Sequence, residues 1–171
     1  MSEPDRIERI VGQWAAVRPD IDLDTMALVA RVTRTAQLMD KRIDELSAAY
    51  GAHRSEGDVL FTLRRAGPPY RLSPSRLSES LLVTSGTMTN RLDRLERRGL
   101  VTRIPNPHDR RSLDVELTEL GLRIADEAVT THIANEQEMV SPLTKRDRDE
   151  LTRITRKLIA HLEAPRRPPE G

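Results

Sequence analysis

The side chains with most chemistry to offer lie between positions 73 and 111. From position 91 to 111 seven arginines (Arg91, Arg94, Arg97, Arg98, Arg103, Arg110 and Arg111) stand against three acids (Asp93, Glu96 and Asp109). That is a local excess of four positive charges in a chain whose formal net charge is only +1. Guanidinium groups match phosphate geometry bidentately, so the cluster is a plausible footprint for a polyanion. A solvated helix face laced with i,i+4 ion pairs is the competing reading. Just upstream come small hydrogen-bonding residues, Ser73, Ser75, Thr84, Ser85, Thr87, Thr89 and Asn90. Such side chains serve phosphate oxygens and base edges.

Catalysis finds little support. The four histidines (His53, His108, His132 and His161) are scattered, with none four residues from another, and neither a Gly-rich phosphate loop nor a nucleophile elbow is present. A metal sensor built from histidines and carboxylates has no spacing to recommend it. Cysteine is absent, which excludes a disulfide framework, thiolate redox sensing and thiolate metal sites. The expectation is therefore no enzyme, no cofactor and no metal, with any signal arriving as a noncovalent small molecule.

The elements that must position these residues follow from the hydrophobic pattern. Ser73-Pro74 opens a short helix with Leu77, Leu81 and Leu82 on its apolar side. Thr84 is placed to cap the next helix, in which Met88, Leu92 and Leu95 form the buried stripe. At about 100° per residue Gly86, Asn90, Asp93, Arg94 and Arg97 point away from that stripe, and Arg91 lies roughly 70° from its centre. Gly99 stops this helix. Strands follow at Leu100 to Ile104 and Leu113 to Leu117, with turn residues at 105–109, and His108 there reads as a phosphate neighbour or a solvated turn residue. Two short helices, a tight turn and then an arginine-tipped hairpin are the plan of a winged helix. The second helix enters a major groove and the hairpin reaches a neighbouring minor groove.

Around this segment the chain reads as helix. With only 2% aromatic residues, a core must be built from Leu, Ile, Val, Met and Ala, and 171 residues suffice for one or two cores. Ile7, Ile10, Val11, Trp14 and Val17 mark a first amphipathic helix between Pro4 and Val17. A long helix spans about Thr25 to Tyr50 with a heptad-like seam, ended by Gly51. Ser55 is expected to cap a helix from Glu56 to Ala66. Thr118 caps another long helix reaching about Val140, Pro142 breaks it, and Thr144 caps a last helix carrying Leu151, Ile154, Leu158 and Leu162. The tail from Ala164 is rich in Pro and Arg and is expected to be disordered. The terminal helices expose apolar stripes that a homodimer would bury, and a two-fold dimer sets two recognition helices over a palindrome. No apolar run approaches the roughly 20 residues that span a bilayer, and the acidic N-terminus lacks a signal-peptide core, so a cytoplasmic, nucleoid-associated protein is expected.

The expected organisation is mainly α with a small β-hairpin wing: N-terminal helices over 1–50, a winged helix-turn-helix over 51–117, C-terminal dimerisation helices over 118–163, and the tail at 164–171. A helical interaction module without DNA binding is the alternative of another class, opposed by the set Arg94, Arg110 and Arg111.

The string LDRLERRGLVTRIPNPHDRRSLDVELTELG, Leu92 to Gly121, resembles the MarR family of winged-helix transcription regulators. In that pattern Leu-Asp-Arg-Leu ends the recognition helix, Asp-x-Arg sits in the wing and Leu-Thr-x-x-Gly begins the next helix. The resemblance implies a homodimer joined by its terminal helices, usually a repressor of a palindromic operator, released by a small and often anionic aromatic ligand. Asp109 and Arg111 match the wing motif, which implies that Arg111 enters the minor groove with Arg110 assisting. A narrower resemblance, to the urate-responsive branch, rests on Trp14, Asp58, Arg91 and Arg103, which fall at all four places that mark the branch. It implies an effector such as urate, a planar monoanion. The indole of Trp14 would offer it a face and Arg91 a countercharge, while Asp58, paired with Arg103, would be repelled and push its helix. Another phenolic or anionic effector is the alternative.

Overall fold

The structure is a computed structural model in which residues 5–49, 53–106 and 112–165 are described. The chain divides into two compact units, 1–130 and 131–171. The first contains α1 (Arg6–Val17), α2 (Leu23–Ala49), α3 (Arg54–Arg65), β1 (Arg71–Leu72), α4 (Pro74–Leu81), α5 (Ser85–Arg97), β2 (Val101–Pro105), β3 (Leu113–Leu117) and the first turns of α6 (Glu119–Met139). The second holds the rest of α6 and α7 (Lys145–Glu163).

Local chemistry sets the helix starts. Asp5, the residue after Pro4, begins α1 through a capping box with Glu8, the backbone N–H of each donating to the other's carboxylate at 2.7 and 2.9 Å. The Asp22 carboxylate accepts from the backbone N–H groups of Asp24 and Thr25 at 3.0 and 3.1 Å. It thereby starts α2 two residues earlier than the expected Thr25. Helix α3 is capped by His53 instead of Ser55, so it begins at Arg54. The imidazole Nδ1 accepts the Ser55 N–H at 3.3 Å, a task the serine hydroxyl two residues on is badly placed to do for its own turn. Ser73, Thr84 and Thr144 cap α4, α5 and α7 as their positions suggest. Gly99, at φ +69°, ends the α5 segment in the left-handed region that glycine adopts without strain.

The sheet has three antiparallel strands in the order β1-β3-β2. The hairpin has the expected second strand, while its first runs one residue later than Leu100 to Ile104, with Arg103 opposite Val115. Strand β1 leaves no mark in the sequence pattern. It is two residues long, too short to alternate visibly, and exists because β3 offers it a partner: Arg71 lies opposite Glu116, and its guanidinium Nε donates to that carboxylate at 2.7 Å.

The core sits between α3, α4, α5 and the hairpin. Val59 and Leu63 from α3, Leu77 from α4, Met88, Leu92 and Leu95 from α5, and Val115 from β3 are essentially inaccessible. These are the stripes that the sequence periodicity marks. Ala125 on α6 joins the same cluster. Neither α1 nor α7 has a buried residue.

The α5 to β2 corner is locked by the start of α6. The Thr118 hydroxyl donates to the Gly99 carbonyl at 2.7 Å and accepts the Gly121 N–H at 3.0 Å, while the Thr118 N–H donates to the Leu100 carbonyl at 3.1 Å. Gly121 passes so near that a Cβ there would lie 1.9 Å from the Leu100 carbonyl oxygen.

Candidate nucleic-acid interface

Helix α5 presents two faces of opposite character. Met88, Leu92 and Leu95 are buried, and Thr84, Ser85, Gly86, Thr87, Thr89, Asn90, Arg94 and Arg97 are exposed. Apolar burial on one side therefore holds a row of small polar side chains toward solvent on the other. Three hydroxyls are already partly committed: Thr84 accepts the Thr87 N–H at 3.3 Å as the cap and shares a hydroxyl–hydroxyl hydrogen bond with Thr87 at 3.0 Å, and Thr89 donates to the Ser85 carbonyl at 3.0 Å. Each keeps acceptor capacity. Asn90 makes no side-chain hydrogen bond among the described residues. Ser75, in the first turn of α4, is exposed; Ser73 is half-buried and its hydroxyl oxygen accepts the Arg76 N–H at 3.3 Å. His108, Arg110 and Arg111 lie outside the described residues, as does Asp109.

Two carboxylate nodes fix the pose of α5, and neither is evident from the pattern of apolar residues. Glu56, on α3, is buried, its side chain 7% exposed. One of its oxygens takes Arg94 Nε at 2.8 Å and the other takes an Arg98 terminal nitrogen at 2.6 Å. Arg94, expected to face DNA freely, is thus tied to the platform beneath α5. A glutamate at position 56 continues the i, i+3, i+7 register of Val59 and Leu63, and an acid in an apolar register was the available signal. The second node joins helix to wing. Arg103 on β2 donates to the Asp93 carboxylate at 2.6 Å and pairs with Glu96, which also accepts the Arg103 backbone N–H at 3.2 Å. Burial works against the Arg103 cation, but hydrogen bonding to Asp93 and the field of Glu96 outweigh it and raise the guanidinium above its ordinary value.

The four residues of the narrower resemblance are not joined to one another by any hydrogen bond or ion pair among the described residues. The expected pairing of Asp58 with Arg103 is not formed. Asp93 and Glu96 stand on the helix adjacent to β2 and satisfy Arg103 locally, while Asp58 instead acts electrostatically on Arg54, one turn before it on α3. Arg54 is chiefly engaged with Asp40 of α2 at 2.8 Å, a hydrogen bond that raises its own affinity for the proton. Arg91 is half-buried at the edge of α5 and has no ion partner among the described residues. Trp14 is 43% exposed on α1, on the same side as the half-exposed Ile10. An open groove of about 810 Å³ lies elsewhere, among the end of α3, the Gly67 to Leu72 turn and α4, and is lined by Arg65, Arg71 and Arg76.

Among the described residues no helix is long and apolar enough to cross a membrane, and no cluster of His, Asp and Glu could hold a metal ion.

Comparison with known proteins gives a consistent set of likenesses. A family model described as the MarR family matches residues 50–112. The HTH-type transcriptional regulator PecS of Dickeya dadantii is 35% identical over 156 residues, 91% of this chain and 94% of that one. The transcriptional repressor MprA of Escherichia coli is 30% identical over 128 residues, 75% and 72% of the two chains. A solved structure of a mutant MarR from E. coli complexed with operator DNA superposes with a TM-score of 0.67 at 26% identity, over 85% of this chain and 96% of that one.

Proposed function

This chain belongs to the MarR family of winged-helix transcription regulators, and from that premise we propose that it binds a palindromic operator as a homodimer, usually repressing, and leaves it on taking up a small anionic ligand, urate. The observation that carries the DNA reading is the two-faced α5, whose buried Met88, Leu92 and Leu95 hold Thr84, Ser85, Thr87, Thr89 and Asn90 outward. A helix docked in a major groove needs short donors and acceptors on its outer face and a rigid support behind it. Ser73 and Ser75 flank that face, as does Arg94 in its pairing with Glu56, and in this reading the adjacent minor groove falls to His108, Arg110 and Arg111, which lie outside the described residues.

Dimer formation is supported by the apolar side chains that the terminal helices leave exposed: Ile10 and Val17 on α1, and Leu151, Ile154, Leu158 and Leu162 on α7. Each helix has no buried residue of its own, so burial against a second copy is the available gain.

For the ligand, the support is Arg91, a half-buried guanidinium without an ion partner among the described residues, and Trp14, an indole left 43% exposed. One supplies countercharge and the other a stacking surface for a planar anion. Asp58 and Arg103 complete the set in the urate reading. That Arg103 is already held by Asp93 and Glu96 favours the alternative, a different phenolic or anionic effector. A titration separates them. Under the urate reading, urate quenches the sole tryptophan saturably, raises the melting temperature by mass action and releases an operator fragment in a gel shift, and Arg91→Ala abolishes all three. Quenching by a phenolic carboxylate and not by urate moves the assignment to the alternative. Failure of the unliganded protein to retard its own upstream DNA at low salt removes the operator reading itself.

A further inference from the structure

We infer that Glu56 is a specificity-determining positioning residue: by holding Arg94 and Arg98 on a buried carboxylate, it withholds two guanidinium groups from DNA phosphates and fixes the pose of α5. The inference rests on the operator-binding reading above and concerns the balance between operator and unrelated DNA.

The geometry has three parts. The Glu56 side chain is 7% exposed, whereas those of Arg94 and Arg98 are 43% and 40% exposed. Each oxygen takes one arginine, at 2.8 and 2.6 Å, so both oxygens are engaged, and the two partners, Arg94 on α5 and Arg98 at its C-cap, stand about one helical turn apart. Arg94 also lies on the outer side of α5, about 40° around the helix from Asn90. Left free, it would reach a phosphate; held by Glu56, its Nε hydrogen bond points it back to α3. Phosphate contacts carry no sequence information, so a basic helix with every arginine free binds all duplexes well. A helix whose arginines are partly neutralised depends more on its base-reading residues. The same two bonds tie α5 to α3 from beneath, which keeps Thr87 and Asn90 at a set depth.

Glu56→Gln keeps the shape and removes the charge, and because its NH2 end only donates, the arginine that faces that end loses its acceptor. Binding is measured by fluorescence anisotropy on the full chain, with an operator duplex and an unrelated duplex of equal length, from 50 to 200 mM salt. The expected result is weaker operator binding, tighter unrelated binding, and a fall of about tenfold or more in the preference between them. The salt slope for unrelated DNA steepens by about 1 to 2, one for each freed phosphate contact. An unchanged preference with an unchanged slope overturns the inference while leaving operator binding intact; a wild-type chain that ignores the operator removes both. If Glu56→Gln fails to fold, Arg98→Gln serves, since Arg94 still occupies the carboxylate. It is expected to weaken operator binding and leave unrelated binding and its slope unchanged. A slope shallower by about 1 would mean that Arg98 already contacts phosphate, and would equally overturn the inference.

Discussion

Replacing Gly121 by alanine tests how the recognition segment is held to the rest of its unit. The added Cβ would stand 1.9 Å from the Leu100 carbonyl oxygen and 2.9 Å from its carbon. Contacts under 3.0 Å are not sustained, so a gap of about 1 Å must open between α6 and the α5 to β2 corner. The atoms in the way are backbone, and the same carbonyl accepts the Thr118 N–H, so no side-chain rotation relieves the clash. Overpacking of this kind costs about 2 to 3 kcal/mol. For a chain of this size that is a fall of roughly 4 to 12 °C in melting temperature. Gly12→Ala is the control. Its Cβ meets nothing within 4 Å in the middle of α1, and alanine there is expected to be neutral or to stabilise by about 0.5 to 1 kcal/mol. Thermal unfolding followed by circular dichroism reads both. A Gly121→Ala protein melting within a degree of wild type would refute the close approach of α6 to Leu100, and with it the account of how α6 braces the wing.

Two further perturbations address charge. Arg103→Ala leaves Asp93 and Glu96 uncompensated on α5; because these pairs are part-exposed, stability should fall by only about 1 to 2 kcal/mol, while operator affinity at low salt should fall by about tenfold, an effect that shrinks as salt screens the two carboxylates. Arg103→Lys should recover only part of this, since a single ammonium nitrogen does not span two acids as the separate guanidinium nitrogens do, and full recovery in a gel shift would count against the bridging role. In α7, hydrogen bonds from Thr144 hold the Asp147 carboxyl below its ordinary 3.8. Its contribution is therefore present above that value and lost as pH falls through the lower folded one. Asp147→Asn should reduce helicity at neutral pH and flatten its decline below about pH 4, and an acid titration superposable on wild type would contradict the capping role.

Much of the fold is written locally. The stripes Val59, Leu63 and Met88, Leu92, Leu95, the caps at Ser73 and Thr84, the stop at Gly99 and the alternation of Leu113 to Leu117 each depend on residues within a turn or two, so a one-dimensional reading finds them. The outward Thr, Ser and Asn row of α5 follows from the same periodicity, because an apolar stripe dictates what lies opposite. Helices α2 and α3 start two residues before the positions that Thr25 and Ser55 suggest because Asp22 and His53 take the capping task, and small differences in local geometry decide such contests.

What the tertiary structure decided is which charges meet. Composition shows an excess of arginine, but Arg94 and Arg98 are spoken for by Glu56, more than 35 positions earlier, and Arg103 by Asp93 and Glu96 in place of Asp58. Strand β1 exists only because β3 arrives beside Arg71 and Leu72. The need for glycine at 121 comes from the Leu100 carbonyl, which precedes the hairpin in sequence and packs against the helix start that follows it. Hydrophobic periodicity is a property of one helix or strand and survives in sequence; an ion pair or a close backbone approach is a property of two, and only the packing of one against the other makes it.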